Sequence, residues 1–202
     1  MNQITTLIFD IGGVIFRAAG GPPLREKWAA KCGLDFQTFD EIVFNSPLYD
    51  KAAIGEISSE EVWADRNTKL GLSENDLQEL KAEYYHGRWD LDLMENIQAL
   101  APYYKLGIIS DATSGTRERV SQNIDISLFQ SVIFSYEAGV RKPDPKIYHQ
   151  SLRELDIPAQ EALFIDDRQI NIDGAEAVGM LGYLYEELRP FQDFMLTIAK
   201  PK

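Results

Sequence analysis

Cysteine and histidine are both scarce: Cys32 stands alone, and His86 and His149 are the only histidines among 202 residues. A lone cysteine forms no disulfide within the chain, so a reducing compartment, the cytoplasm, is the expected location. Cys32 itself reads as an inert packing residue. The two histidines are far apart in sequence in helical surroundings and read as packing or surface residues rather than catalysts. No Gly-x-Ser-x-Gly elbow, His-Glu-x-x-His motif, Walker loop or dinucleotide fingerprint is present, so the chemistries those motifs carry are poorly served. No apolar run approaches the roughly 20 residues of a membrane-spanning helix. The apolar stretch nearest the start is only a strand's length, which argues against a secretory leader. Basic residues are also few, 20 against 32 acidic ones, for a net charge of −12. That balance argues against nucleic acid, whose affinity comes from clustered Lys and Arg. It repels phosphorylated metabolites too, so a phosphate site needs local compensation from a divalent cation, a lysine and backbone N–H groups.

Five short apolar runs have strand character: Ile4–Phe9, Lys105–Ile109, Ser131–Phe134, Ala162–Ile165 and Met180–Tyr185. Amphipathic stretches of crossover length separate the last four. This βαβ repetition predicts an α/β fold, a doubly wound parallel sheet with helices on both faces, and the almost unbroken apolar character of the runs fits strands buried on both sides. Pro143 and Pro145 open one predicted helix, with Ile147, Tyr148 and Leu152 on a single face. Ile170, Ala175 and Val178, followed by Gly179, read as another. The first two runs are separated by roughly ninety residues, far more than one crossover helix requires. That gap holds no convincing strand but two strong helix starts, a capping-box spacing at Ser58–Glu61 and a second cap at Ser73. Residues 17–101 are therefore expected to form an inserted helical cap, and 1–16 with 102–202 the Rossmann-like core. Gly20-Gly21-Pro22-Pro23 reads as a hinge or loop.

The chemistry-bearing residues follow the strands. Asp10 ends the first and precedes Gly12-Gly13; Ser110-Asp111 end the second; Lys142 follows the third in Arg141-Lys142-Pro143-Asp144-Pro145; Asp166-Asp167 end the fourth. In a parallel sheet, ligands sit beyond the carboxyl ends of the strands, so these groups are expected at one edge. A strand-end carboxylate can attack phosphorus and split a hard hydrolysis into two easier steps. Adjacent carboxylates beside Asp10 are unfavourable without a cation between them, and an oxygen-rich set suits Mg²⁺. Lys142 offers a compact positive charge to a nucleophile and phosphoryl group, and Ser110, with Thr113 nearby, can donate to phosphate oxygens. Taken singly, each has a plain alternative: a turn for Asp10, helix caps for Asp166-Asp167 and Ser110, a solvated surface for Lys142.

Together, in order and spacing, the four segments resemble the signature motifs of the haloacid dehalogenase-like hydrolase superfamily, and the helical insertion between the first two resembles the cap of its helical-cap branch. Ile54-Gly55-Glu56-Ile57-Ser58 is similar to a stretch common in those caps. The resemblance implies that Asp10 is nucleophile and Mg²⁺ ligand, with the Gly12 carbonyl, Asp167 and the adjacent Asp166 completing the metal site. It implies that Ser110 binds phosphate and that Lys142 stabilises charge. Phosphatases of this family usually carry a second aspartate, a general acid and base, at the position of Gly12; some sugar-phosphate phosphatases share the Asp-x-Gly seen here. Asp111 stands where a neutral residue is common, near the substrate phosphate. The expected activity is Mg²⁺-dependent hydrolysis of a small phosphorylated metabolite, with a 2-haloacid dehalogenase or a non-catalytic binding protein as alternatives. The acidic pair disfavours the metal-free dehalogenase, and Gly12 with Asp111 motivates the non-catalytic reading.

Overall fold

Strand β1 (Thr6–Phe9) is buried along its whole length and forms the middle of the sheet. In the computed structural model, which describes residues 3–198, β1 lies between β4 (Lys105–Ser110) and β6 (Ala162–Asp166). Beyond these lie β5 (Ser131–Phe134) and β7 (Leu181–Leu184), giving the order β5-β4-β1-β6-β7 with every pair parallel. The chain steps outward from β1 in one direction, then returns past it to build the other side. That reversal of direction leaves a crevice beyond the carboxyl ends of the central strands.

The pleat sends alternate residues to opposite faces. Leu7, Phe9, Ile108 and Ile165 pack against α6 (Leu91–Leu100), α7 (Thr116–Ser121) and α11 (Leu188–Met195). Ile8, Ile109 and Phe164 pack against α9 (Pro145–Leu155) and α10 (Gln169–Ala177). Each fully buried Leu, Ile or Phe contributes about 1.5–3 kcal/mol, so both faces of the sheet are firmly held. On α10 the expected apolar face differs at Ile170, which is 54% exposed.

The inserted segment carries α1 (Pro22–Cys32), α2 (Phe36–Val43), α3 (Leu48–Ala53), α4 (Ser59–Leu70) and α5 (Glu74–Tyr84). Trp28, Phe39, Val43, Trp63, Leu77 and Leu80 from four of these helices make a separate small core. The capping box at Ser58 and Glu61 forms, and Ser73 caps α5 by accepting from the Asp76 N–H. The sequence reading needs correction at four places. Pro22 and Pro23 open α1 rather than lying in a loop. The segment also enters and leaves through a short antiparallel ribbon, β2 (Phe16–Ala18) against β3 (Gly87–Trp89), where no strand was expected. His86 sits between α5 and β3, outside any helix. Finally, α6 falls within 17–101, yet its buried residues Leu93, Met94 and Ile97 belong to the sheet's core. Among the described residues no helix is long and apolar enough to cross a membrane.

Candidate active site

Asp10 leaves β1 with its N–H still bonded to the Ile165 carbonyl at 2.8 Å, so the nucleophile candidate is fixed to the sheet. The next turn is closed by the N–H groups of Ile15 and Phe16 on the Ile11 carbonyl and by Gly13 N–H on the Phe16 carbonyl. Gly13 adopts φ +78°, and a Cβ there would lie 1.9 Å from Asp167 Oδ2. A bare glycine thus lets Asp167 approach the loop after Asp10. Gly12 is different: it does not take a left-handed φ, and an added Cβ meets nothing within 4 Å.

Lys142 reaches this point from the loop after α8 (Ser135–Ala138) and is buried. Its Nζ lies 2.7 Å from Asp166 Oδ2, 2.9 Å from Asp10 Oδ1 and 3.2 Å from the Ile109 carbonyl. The Asp10 contact is an ion pair without the alignment of a hydrogen bond, leaving Asp10 Oδ1 buried and without an aligned donor. Asp166 is saturated: it accepts from Lys142 Nζ, from the Arg168 N–H, and from Asn171 Nδ2 at both oxygens. Asp167, by contrast, is exposed.

Burial pushes the Asp10 carboxyl up to about 6, with Lys142 opposing the rise and the Asp166 charge adding to it. Burial likewise raises Asp167, and Asp166 again contributes. For Lys142 burial works against the charge, but Asp10 and Asp166 outweigh it and hold the ammonium above its ordinary value. Burial is the larger cause for the two carboxyls, and the neighbouring negative charge of Asp166 adds to it in both. One oxygen from each of Asp10, Asp166 and Asp167 lies within 4.8 Å of the others. Three carboxylates face one ammonium, so two negative charges remain when all are ionised. Hard oxygens, one of them lacking an aligned donor, and a local charge of that size fit a small divalent cation.

The sheet therefore brings Asp10, Lys142, Asp166 and Asp167 into one cluster. Gly12, Ser110 and Asp111 line a cavity of about 710 Å³ that opens beside it, beneath the inserted helices. Asp111 is engaged with the Lys142 loop: its Oδ1 accepts the Lys142 N–H at 3.0 Å, and its Oδ2 lies 3.8 Å from Arg141 Nε. Its carboxylate thereby helps to hold Lys142 in place. Arg141 in turn pairs with Asp50 of α3. Two further contacts fasten the insertion over the site. Ser59 donates its N–H to Ser114 Oγ at 2.8 Å. Gly55, at φ +75°, lies so close to the Tyr136 carbonyl that a Cβ would stand 2.2 Å from its oxygen. Asn171, Arg141 and Ser114 were not anticipated from sequence; Asn171, five residues after Asp166 on the following helix, carried the one usable signal.

Strand-end acids around a buried lysine at the carboxyl edge of a parallel sheet define an α/β protein with a carboxylate centre. Residues 4–179 match the family described as haloacid dehalogenase-like hydrolase, and the chain belongs to that family; it is a hydrolase. It is 27% identical over 184 residues to a sesquiterpene phosphatase of Aspergillus oryzae, covering 87% of this chain and 86% of that one. A shorter match, 40% identical over 79 residues, links it to a glyceraldehyde 3-phosphate phosphatase of Pyrococcus abyssi, covering 38% of this chain and 33% of that one. Among solved structures, a haloacid dehalogenase family enzyme from Bacteroides thetaiotaomicron, in a magnesium complex, superposes with a TM-score of 0.80 at 20% identity, covering 96% of this chain and 99% of the other.

Proposed function

We propose that the chain is a Mg²⁺-dependent phosphatase that hydrolyses a small phosphorylated metabolite through an aspartyl-phosphate on Asp10. The observation that carries this reading is the convergence of Asp10, Asp166 and Asp167, with the buried Lys142 paired to the first two, next to the cavity that Gly12, Ser110 and Asp111 line. The phosphatase relatives and the magnesium complex of the structural neighbour support it. In this reading a carboxylate oxygen of Asp10 attacks phosphorus, the bond to the leaving oxygen breaks, and the departing alkoxide takes its proton from solvent water. A second water then attacks the same phosphorus and gives up a proton to solvent, the bond to Asp10 breaks, and phosphate leaves with the carboxylate restored. Lys142 remains protonated and balances charge on Asp10 and the phosphoryl oxygens, while Ser110 donates to the phosphate. Asp10, Asp167 and the Gly12 carbonyl would hold Mg²⁺, with Asp166 contributing directly or through water; when bound, the ion neutralises phosphoryl charge as a Lewis acid. Helices α1–α5 serve as the cap, and substrate enters beneath them.

Because the cation binds the native cluster, Mg²⁺ at a hundredfold excess over its Kd should raise the melting temperature by about 5–10 °C. In Asp167→Ala that response should largely vanish. An unchanged shift, measured by calorimetry on metal-stripped protein, would remove Asp167 from the metal site.

Gly12 leaves the departing alcohol without an adjacent acid. Wild-type kcat/KM should therefore fall steeply as the leaving alcohol becomes more basic, with aryl phosphates and sugar 1-phosphates ahead of primary-alcohol phosphates. The open space around the Gly12 Cβ position admits a side chain, so Gly12→Asp should fold and should speed the poorest leaving groups most, by up to about 10²-fold. A flat wild-type dependence across the series would mean that another residue delivers the proton.

A further inference from the structure

The cavity holds a charge that the hydrolytic cluster does not use. Arg66, on α4, lines the cavity wall and is 2% exposed. Its guanidinium stacks 4.5 Å from the Trp63 ring centroid and 5.1 Å from that of Tyr84. Nε and Nη2 are buried without hydrogen-bond partners, and among the described residues no carboxylate pairs with them. Of the other arginines on the cavity wall, Arg25 pairs with Asp40, and Arg119 donates to the Thr116 hydroxyl and lies over the Tyr85 ring. Among the described residues Asp111 is the only carboxylate lining the cavity, and it is engaged by the Lys142 N–H.

A buried guanidinium without an anion is strongly unfavourable. The stacked rings soften its charge but offer no in-plane acceptor for its N–H groups. A guanidinium on a cavity wall whose N–H donors meet no protein acceptor matches a carboxylate or phosphate. The cavity that Arg66 shares with Gly12 and Ser110 is also lined by the rings of Phe16, Phe44, Tyr85 and Trp89. A volume of about 710 Å³ lies within the range of sites that enclose a whole organic ligand, and it exceeds the needs of a three-carbon phosphate.

We infer that Arg66 is a specificity residue that binds a second anionic group, on the leaving-alcohol side of a substrate whose apolar or aromatic body fills the space beneath the cap. This rests on the phosphatase reading and names its substrate class: phosphomonoesters of bulky, apolar or aromatic alcohols that carry a further negative charge. The net charge of −12 makes a local cationic anchor of this kind necessary for such a dianionic or trianionic ligand.

The test compares 4-(carboxymethyl)phenyl phosphate with its amide, 4-(carbamoylmethyl)phenyl phosphate, two esters of nearly equal size and leaving group. Wild type should favour the carboxylate by roughly ten- to a hundredfold in kcat/KM, the scale of a charge-assisted pair. Arg66→Met and Arg66→Gln should each abolish the preference while leaving turnover of the amide ester within a few-fold; two variants guard against one that does not fold. Equal kcat/KM for the two esters in wild type, a preference retained in the variants, or a parallel loss of both esters would overturn the assignment. A separate arm uses the product alcohol 4-hydroxyphenylacetate with no catalysis required. It should raise the melting temperature of wild type but not of the Arg66 variants. If wild type hydrolyses neither ester, the phosphatase reading fails and this arm alone decides for or against the anion site.

Discussion

Asp10→Asn should give a folded protein with turnover lowered by about 10⁴-fold or more, the scale seen when a covalent nucleophile is removed. The amide nearly matches the carboxylate in shape, and the backbone bond from Asp10 N–H to the Ile165 carbonyl does not involve the side chain. The substitution also relieves crowding. Asp10 is buried beside Asp166, and both share the single Lys142 ammonium. Removing one carboxylate leaves the Lys142–Asp166 pair intact, so the variant should melt no lower than wild type in metal-free buffer. Loss of activity with retained melting temperature separates a chemical role from a structural one. A folded variant that keeps most of its activity would exclude Asp10 as nucleophile.

Lys142→Met should fail on both counts. The ammonium is the charge partner of two buried carboxylates, and removing one member of a buried ion pair costs about 3–5 kcal/mol. For a chain of this size that corresponds to a fall of roughly 6–20 °C in melting temperature. Activity should be lost in parallel, since Asp10 then has no neighbouring positive charge to keep it ionised. Lys142→Arg should not rescue either property, because a planar fork cannot replace a compact ammonium held among Asp10, Asp166 and the Ile109 carbonyl. Denaturant melts of the variants beside activity assays check both expectations. A Lys142→Met protein as stable as wild type would mean that the cluster is not held by this pair.

The gathering of the candidate residues was legible because most of them follow an apolar run, and a parallel sheet gathers the ends of such runs. Asp10, Ser110 and the Asp166-Asp167 pair needed only that rule, whereas Lys142, beyond α8, was placed by its order among the four segments. Their surroundings were not legible, because these depend on contacts between residues far apart in the chain. Asp111 looked out of place beside a phosphate; its reason is the Lys142 N–H, 31 residues away, which its carboxylate accepts. The β2–β3 ribbon escaped notice because three residues are too few to show a period of two. Helix α6 carries the same apolar spacing whether it packs on the sheet or on the insertion, and only the packing of Leu93, Met94 and Ile97 distinguishes them. Gly12 and Gly13 read alike in sequence, yet only Gly13 is constrained, because only there does Asp167 crowd the backbone. Arg66 gave no signal at all: a lone arginine on a helix is ordinary until its carboxylate-free surroundings are seen.

The central claim, hydrolysis of a phosphomonoester by a Mg²⁺-loaded carboxylate cluster, meets its most direct test in phosphate release from an aryl phosphate by metal-stripped protein titrated with Mg²⁺, run beside halide release from a 2-haloacid. The expected result is phosphate release that appears with Mg²⁺, saturates, and is abolished in Asp10→Asn, with no halide released at any metal concentration. Halide release without metal, or protein that turns over neither substrate when Mg²⁺ is bound, would contradict it.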